Sequence, residues 1–143
     1  MAVSAFFKYQ TFMDEVTKGG HNLTTAVYKV ALTNTAPTAA SDTVWNTTVA
    51  PAPAAANGYP AGGNTPTVTS AATVAGIFKL VLVDSVFTAT AGGIGPFRYA
   101  ILYNTSASNK VVGYYDYGGA VTLAVAETLT MDFDGSNGVF TLQ

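Results

Sequence analysis

The run Asp132-Phe133-Asp134-Gly135-Ser136-Asn137-Gly138 has the spacing most suggestive of chemistry in this chain, because alternating side-chain oxygens open a calcium-binding loop. Such a loop needs glycine at its sixth position and a bidentate glutamate at its twelfth. Asn137 and Gln143 stand there instead. Asp-Gly and Asn-Gly between alternating apolar runs are also hairpin signals, so the expectation is a turn, with a weak cation site as the alternative. His21 is the single imidazole, and any triad would have to use it. It follows a Gly19-Gly20 pair that reads as a helix stop, where a histidine is expected to meet terminal carbonyls in a structural or surface role.

Asp84, Asp116, Glu127, Asp132 and Asp134 could supply the carboxylate pair of a glycan hydrolase. No spacing among them selects a pair, and turn or strand-edge duties account for all five. The block Tyr114-Tyr115-Asp116-Tyr117, with Tyr99 and Tyr103, could form a sugar-stacking platform or an adhesive protein surface. Strand alternation would send half of these rings into the core. Gly92-Gly93-Ile94-Gly95 lacks the Gly-Lys-Ser/Thr ending of a phosphate loop and reads as a turn. Asn22, Asn46 and Asn104 each begin an Asn-X-Ser/Thr triplet, which carries no weight without a secretion signal.

Composition restricts the classes further. Charged residues make up 10% of the 143, aromatic residues 12% and hydrophobic residues 49%, with a net charge of -2 and no cysteine. Ordinary domains carry roughly a quarter charged residues, so a surface this poor in charge suits contact with other protein. Lys8, Lys18, Lys29, Lys79, Arg98 and Lys110 form no stripe, and no nucleic-acid partner is expected. Without cysteine there is neither a disulfide framework nor a cysteine-based zinc site. Residues 1–7 lack the basic flank and apolar block of a signal peptide, and no apolar run approaches the ~20 residues that span a bilayer. The expectation is a soluble protein made in cytosol, with no membrane partner, no cofactor and no enzymatic activity.

The elements that would position these residues are mostly strands. Phe6, Tyr9, Met13 and Val16 recur at helical spacing, with Ser4 as cap and Gly19-Gly20 as stop, which predicts an N-terminal helix or arm over residues 1–20. Phe7 and Phe12 widen its apolar surface. Tyr28, Val30 and Leu32 alternate as a strand, and residues 36–66 read as a long Pro/Ala-rich loop, interrupted by a short strand from Val44 to Val49. Further strands are expected at Ile77 to Val83 (central), Val86 to Thr90, Phe97 to Tyr103, Lys110 to Tyr117, Val121 to Val125, Leu129 to Phe133 and Val139 to Leu142. About eight short strands behind one helix predict an all-β domain over 1–143, a sandwich or jelly roll.

Lys18-Gly19-Gly20-His21-Asn22-Leu23, Tyr28-Lys29-Val30-Ala31-Leu32-Thr33, Asn57-Gly58-Tyr59-Pro60-Ala61-Gly62-Gly63 and Gly95-Pro96-Phe97-Arg98-Tyr99-Ala100-Ile101-Leu102-Tyr103-Asn104 together resemble small virion proteins of tailed phages. The chain also looks like the cement or decoration proteins of HK97-type capsids, whose jelly-roll subunits clamp neighbouring capsomers. That resemblance implies a structural role on the outer capsid surface, the major capsid protein as partner, a homodimer or homotrimer, and assembly in the host cytoplasm. A tail, fibre or receptor-binding component that meets glycans is the alternative. The aromatic excess of the N-terminal segment and the tyrosine block make Phe6, Phe7, Tyr9, Phe12, Tyr114 and Tyr117 the expected interface residues. With no cysteine, one histidine and a broken calcium motif, the melting temperature is expected to be the same with and without EDTA. A cooperative loss in chelator, restored by calcium, would instead give Asp132 and Asp134 a bound ion.

Overall fold

The longest pairing in the chain joins β6 (Ile94–Asn104) to β7 (Lys110–Leu123) through a single 3-10 turn, Thr105–Ala107, in the computed structural model, which describes residues 5–46, 53 and 55–143. β2 (Tyr28–Thr33) pairs with the far side of β6, and β1 (Phe6–Lys8) with the far side of β7, in a four-stranded antiparallel sheet ordered β1-β7-β6-β2. A three-stranded antiparallel sheet places β4 (Ile77–Leu82) between β3 (Val68–Val74) and β9 (Phe140–Leu142). β5 (Ser85–Thr88) pairs with β8 (Thr128–Met131). The protein is thus mostly β, with several antiparallel sheets, nine strands among the described residues and one α-helix, α1 (Gln10–Thr17). No described helix is long and apolar enough to cross a membrane.

The helical period of the first segment is only partly realised. Phe6, Phe7 and Lys8 lie opposite Tyr115, Tyr114 and Gly113 as a strand, so the predicted helix over residues 1–20 shortens to α1. Tertiary pairing overrides the period because Gly113 leaves room for a ring: a Cβ there would stand 2.1 Å from Phe6 Cζ. Tyr9 occupies the N-cap without a side-chain cap bond, and Ser4 lies outside the described residues. The Gly-Gly stop operates as expected. Gly19 adopts φ +76°, its N–H donates to Val16 O (3.1 Å), and the Gly20 N–H donates to Glu15 O (2.7 Å), the two bonds of a Schellman cap.

Aromatic contacts join the two larger sheets. Phe140 stacks on Phe6 (6.1 Å) and meets Phe12 edge-on (5.3 Å) and Phe78 at a tilt (6.2 Å). Rings of β1, α1, β4 and β9 therefore share one buried cluster with Leu80, Leu82, Leu102 and Val112. Each such ring pair contributes about 0.5–1.5 kcal/mol beyond its buried area. The central placement predicted for Ile77 to Val83 matches β4.

Two predicted boundaries fail for a common reason, that pairing partners decide where a strand ends. Lys110 to Tyr117 and Val121 to Val125 are one strand, β7, which runs through Gly118 and Gly119. Between the pairs Tyr99↔Asp116 and Phe97↔Val121, β6 advances two residues and β7 five, so residues 117–120 bulge outward. The turn at Asp134 also departs from a hairpin. Its carboxylate accepts from the N–H groups of Ser136 and Asn137 (2.8 Å each), yet the strands on either side pair with different partners, β8 with β5 and β9 with β4.

Two parts of the described loop over 36–66 are anchored on the sheet through buried residues, Trp45 in one and Tyr59 and Gly63 in the other. Val44 bridges Lys110, and buried Trp45 stacks on Tyr103 at 4.7 Å; the remainder of the strand expected from Val44 to Val49 reaches residues 47–49, outside the described set. Residues 57–64 close the free edge of β2: Val30 and Asn64 exchange backbone bonds (2.8 and 3.1 Å), and the Tyr59 hydroxyl accepts from Leu32 N (3.0 Å). Asn64 Nδ2 donates to Val86 O (2.8 Å), which ties this segment to β5. The glycines here permit close backbone approach, since a Cβ on Gly63, at φ +89°, would sit 1.8 Å from Val30 O. Gly63→Ala is accordingly expected to cost about 2–4 kcal/mol and to lower the melting temperature by roughly 7–13 °C. Gly119→Ala, with nothing within 4 Å of its Cβ, should leave it unchanged. Calorimetry of the two variants checks the contrast.

Candidate protein interface

The six aromatic residues expected at an interface divide sharply. Tyr9 and Phe12 are 1% and 0% exposed, so they belong to the protein's own core and offer nothing to a neighbour, contrary to expectation. Phe12 is wedged between Phe140 and His21, and burial beside Asp42 pushes the Tyr9 hydroxyl far above its ordinary pKa. Phe6 points to the same core through Tyr115 (5.2 Å) and Phe140. Tyr117 also turns inward: its hydroxyl donates to Met131 Sδ at 2.8 Å, its ring meets Phe97 edge-on, and burial raises its pKa to about 12.

Phe7 and Tyr114 remain. Alternation along β1 and β7 puts both on the sheet face opposite Phe6 and Tyr115. Phe7, 48% exposed, stacks on Tyr114 at 5.5 Å and 27°. Tyr9 supports Tyr114 edge-on from beneath (5.3 Å), and Tyr99 does so from β6 (6.5 Å). The exposed ring therefore rests on a rigid aromatic base, which costs little conformational entropy when a partner covers it.

Arg98 and Asp116 border these rings, a pairing that no spacing in the sequence announces. Arg98 Nε and Nη2 donate to the two oxygens of Asp116 at 2.8 and 2.9 Å, and the guanidinium lies 5.1 Å from the Tyr99 ring centre. The Asp116 carboxylate also accepts from Gly118 N (2.8 Å), which pins the β7 bulge. These donors hold its pKa below the usual carboxylate range, the Arg98 bonds first. The missed signal was Gly118, whose φ of +80° permits the bulge. Its register shift is a property of the pairing and is invisible in either strand alone.

The other candidate carboxylates serve local structure. Asp84 accepts from Phe133 N (2.9 Å), Glu127 from Ala124 N (2.7 Å) and Asp134 from its own turn, while Asp132 is exposed. No group of three His, Cys, Asp or Glu among the described residues could hold a metal ion. Tyr103 and Tyr115 are buried. Asn104 is fully buried and its side chain is engaged, which removes it as a glycan acceptor.

His21 meets that asparagine where terminal carbonyls were expected. Asn104 Oδ1 accepts from Ser106 N (2.9 Å), so its Nδ2 turns to His21 Nδ1 (3.2 Å) and donates. The imidazole proton then resides on Nε2, which is buried without a partner. Glu15 accepts from Lys110 at 2.6 Å nearby, joining α1 to β7. Burial first, and then Lys110, push the His21 pKa below its ordinary value.

Comparison with protein-family models, curated proteins and solved structures finds no match for this chain.

Because the folded-state pKa of His21 is depressed, the unfolded chain binds its proton first. Stability should begin to fall as the pH drops through about 6.5, the unfolded value. Glu15, Asp116 and Asp134, held below their ordinary values, add their losses only near and below about pH 4. Denaturant titrations should therefore show a first decline from pH 6.5 to 5 that His21→Gln removes. An unchanged decline in the variant would place its origin elsewhere.

Proposed function

We propose that this protein is a structural virion component of the capsid cement or decoration type. It binds the outer surface of a phage shell as a homo-oligomer, takes the major capsid protein as partner, and performs no catalysis. The observation that carries the proposal is the Phe7–Tyr114 stack, held outward on paired strands while the neighbouring rings are consumed by the core. Aromatic anchors on a rigid base, surrounded by few charges, are the residues that dominate protein–protein affinity. The sequence resemblance to phage virion proteins supports the same reading. The jelly-roll sandwich belongs to this proposal as well, supported by the Phe6–Phe140 and Phe12–Phe140 contacts that bring two sheets and the helix together.

Cement acts by linkage: whatever binds the assembled shell and not its free subunits shifts the equilibrium toward assembly. The shift is about 2.7 kcal/mol per site at a hundredfold excess over the dissociation constant. Repetition over a symmetric shell multiplies weak contacts by avidity. A fibre or receptor-binding role is the second reading, because Arg98 and Asp116 beside the rings would also suit a sugar.

Heating capsids with and without the protein, while DNA release is followed, tests the proposal. Release temperature should rise with occupancy. Phe7→Ser should weaken occupancy at least tenfold, while the isolated variant melts within a few degrees of the parent, as surface substitutions do. Equal release temperatures at full occupancy, with binding of isolated protein to host envelopes, would replace cement by the fibre reading.

A further inference from the structure

Among the described residues, the fold protects most of its sheet edges and leaves one open. β2 is closed by residues 57–64, and the outward strands β1 and β9 are three residues long. β5 and β8 have four residues each. β3 is different: its seven residues, Val-Thr-Ser-Ala-Ala-Thr-Val, form the outer strand of the β3-β4-β9 sheet. They contain neither charge nor proline, the usual devices that blunt an edge. Five of the seven are exposed, and no described segment pairs with the second edge.

The outer face of this hairpin is an open groove lined by Ser70, Ala72, Val74, Ile77 and Lys79. Val74 is 74% exposed and Ile77 41%. The one cation is already engaged, since Lys79 Nζ donates to Ser136 O at 2.9 Å. The edge therefore suits an uncharged extended strand more than an acidic one.

We propose that β3 pairs with β3 of a second copy of this chain, antiparallel across a two-fold axis at Ala72. This deepens the homo-oligomer part of the proposed function by naming its surface. The pairing uses the regular run Ser70–Val74, because the register shift between Val68 and Ser70 interrupts the strand before it. Ala72 faces its own copy, Ala71 faces Thr73, and Ser70 faces Val74, so no charge meets a charge. The two Lys79 side chains, each opposite Ala72 in its own hairpin, stand three strand spacings apart. That separation is roughly 14 Å, beyond the ~8 Å screening length at physiological salt. The exposed Val74 and Ile77 of both copies then lie on one continuous sheet face, and the unpaired backbone groups of each edge are satisfied by the other.

Purified full-length protein tests this without any capsid, so failure here and failure of capsid binding are separate results. Light scattering after size exclusion at ~100 µM should give a dimer. The double variant Ser70→Glu/Val74→Glu sets like charges opposite one another twice and should elute as a folded monomer, its fold checked by circular dichroism. Mixing it with Ser70→Lys/Val74→Lys should restore the dimer. Ala72→Cys, the sole cysteine in its chain, should form a disulfide-linked dimer under mild oxidation, because facing strand residues lie about 4.5–5.5 Å apart at Cα. Ser70→Cys should not. A monomeric parent, a trimer, or a dimer that survives the acidic pair while Ala72→Cys stays uncrosslinked would overturn the proposal. A monomeric parent whose β3 amides gain hydrogen-exchange protection only on capsids would give the edge to the capsid protein.

Discussion

The long antiparallel pairing of β6 with β7 is the constraint on which the other elements depend. It creates two sheet faces and two free edges, and most other features of the chain answer one of these. β1 and β2 extend the edges, residues 57–64 close the second of them, and α1 is fastened to β7 through the Glu15–Lys110 ion pair. One face receives the Phe140 cluster that brings in β4 and β9. The other presents Tyr114 and Tyr99, with Phe7 laid on top from β1. Even the ion pair beside those rings follows from the pairing, because the bulge at residues 117–120 exists only where the two strands advance unequally.

Burial then decides which aromatic residues are left to act on anything else. Alternation in β1 sends Phe6 inward and Phe7 outward, and alternation in β7 does the same for Tyr115 and Tyr114. Burying a ring removes apolar surface worth roughly 2 kcal/mol or more from water. Core demand therefore outcompetes any interface for Tyr9 and Phe12, which the strand–helix junction carries beneath Tyr114 and against Phe140. What remains outside is a small, supported aromatic surface, which is the physical basis for reading the chain as an assembly protein.

Much of this architecture was legible in the residues. Strict alternation identified β2 and β6, apolar faces on both sides identified β4 as central, and the Gly19-Gly20 stop marked the end of α1 within a residue. The failures share a cause, since each depends on a partner distant in sequence. The helical spacing of Phe6 to Val16 is real, yet Gly113, over a hundred residues away, makes a strand of its first turn. The Asp134 turn has hairpin chemistry, but its flanking strands find other partners. β3, rich in Ser, Thr and Ala, lacks the large apolar residues that signal a strand, and its pairing with β4 through the tight turn at Ala75 and Gly76 establishes it. Of the residues proposed for an interface, Tyr114 was identifiable from alternation with Tyr115, whereas the outward position of Phe7 required the pairing of β1 with β7, and Arg98 and Asp116 required the register of β6 with β7.

On the proposed function, this molecule holds a shell together through its outward aromatic face. A cryo-EM reconstruction of virions that carry the polypeptide tests it most directly. Density for the β domain is expected on the outer capsid surface, with Phe7 and Tyr114 turned against the capsid protein. Density confined to a tail or fibre, or a capsid-bound orientation that leaves both rings in solvent, would contradict it.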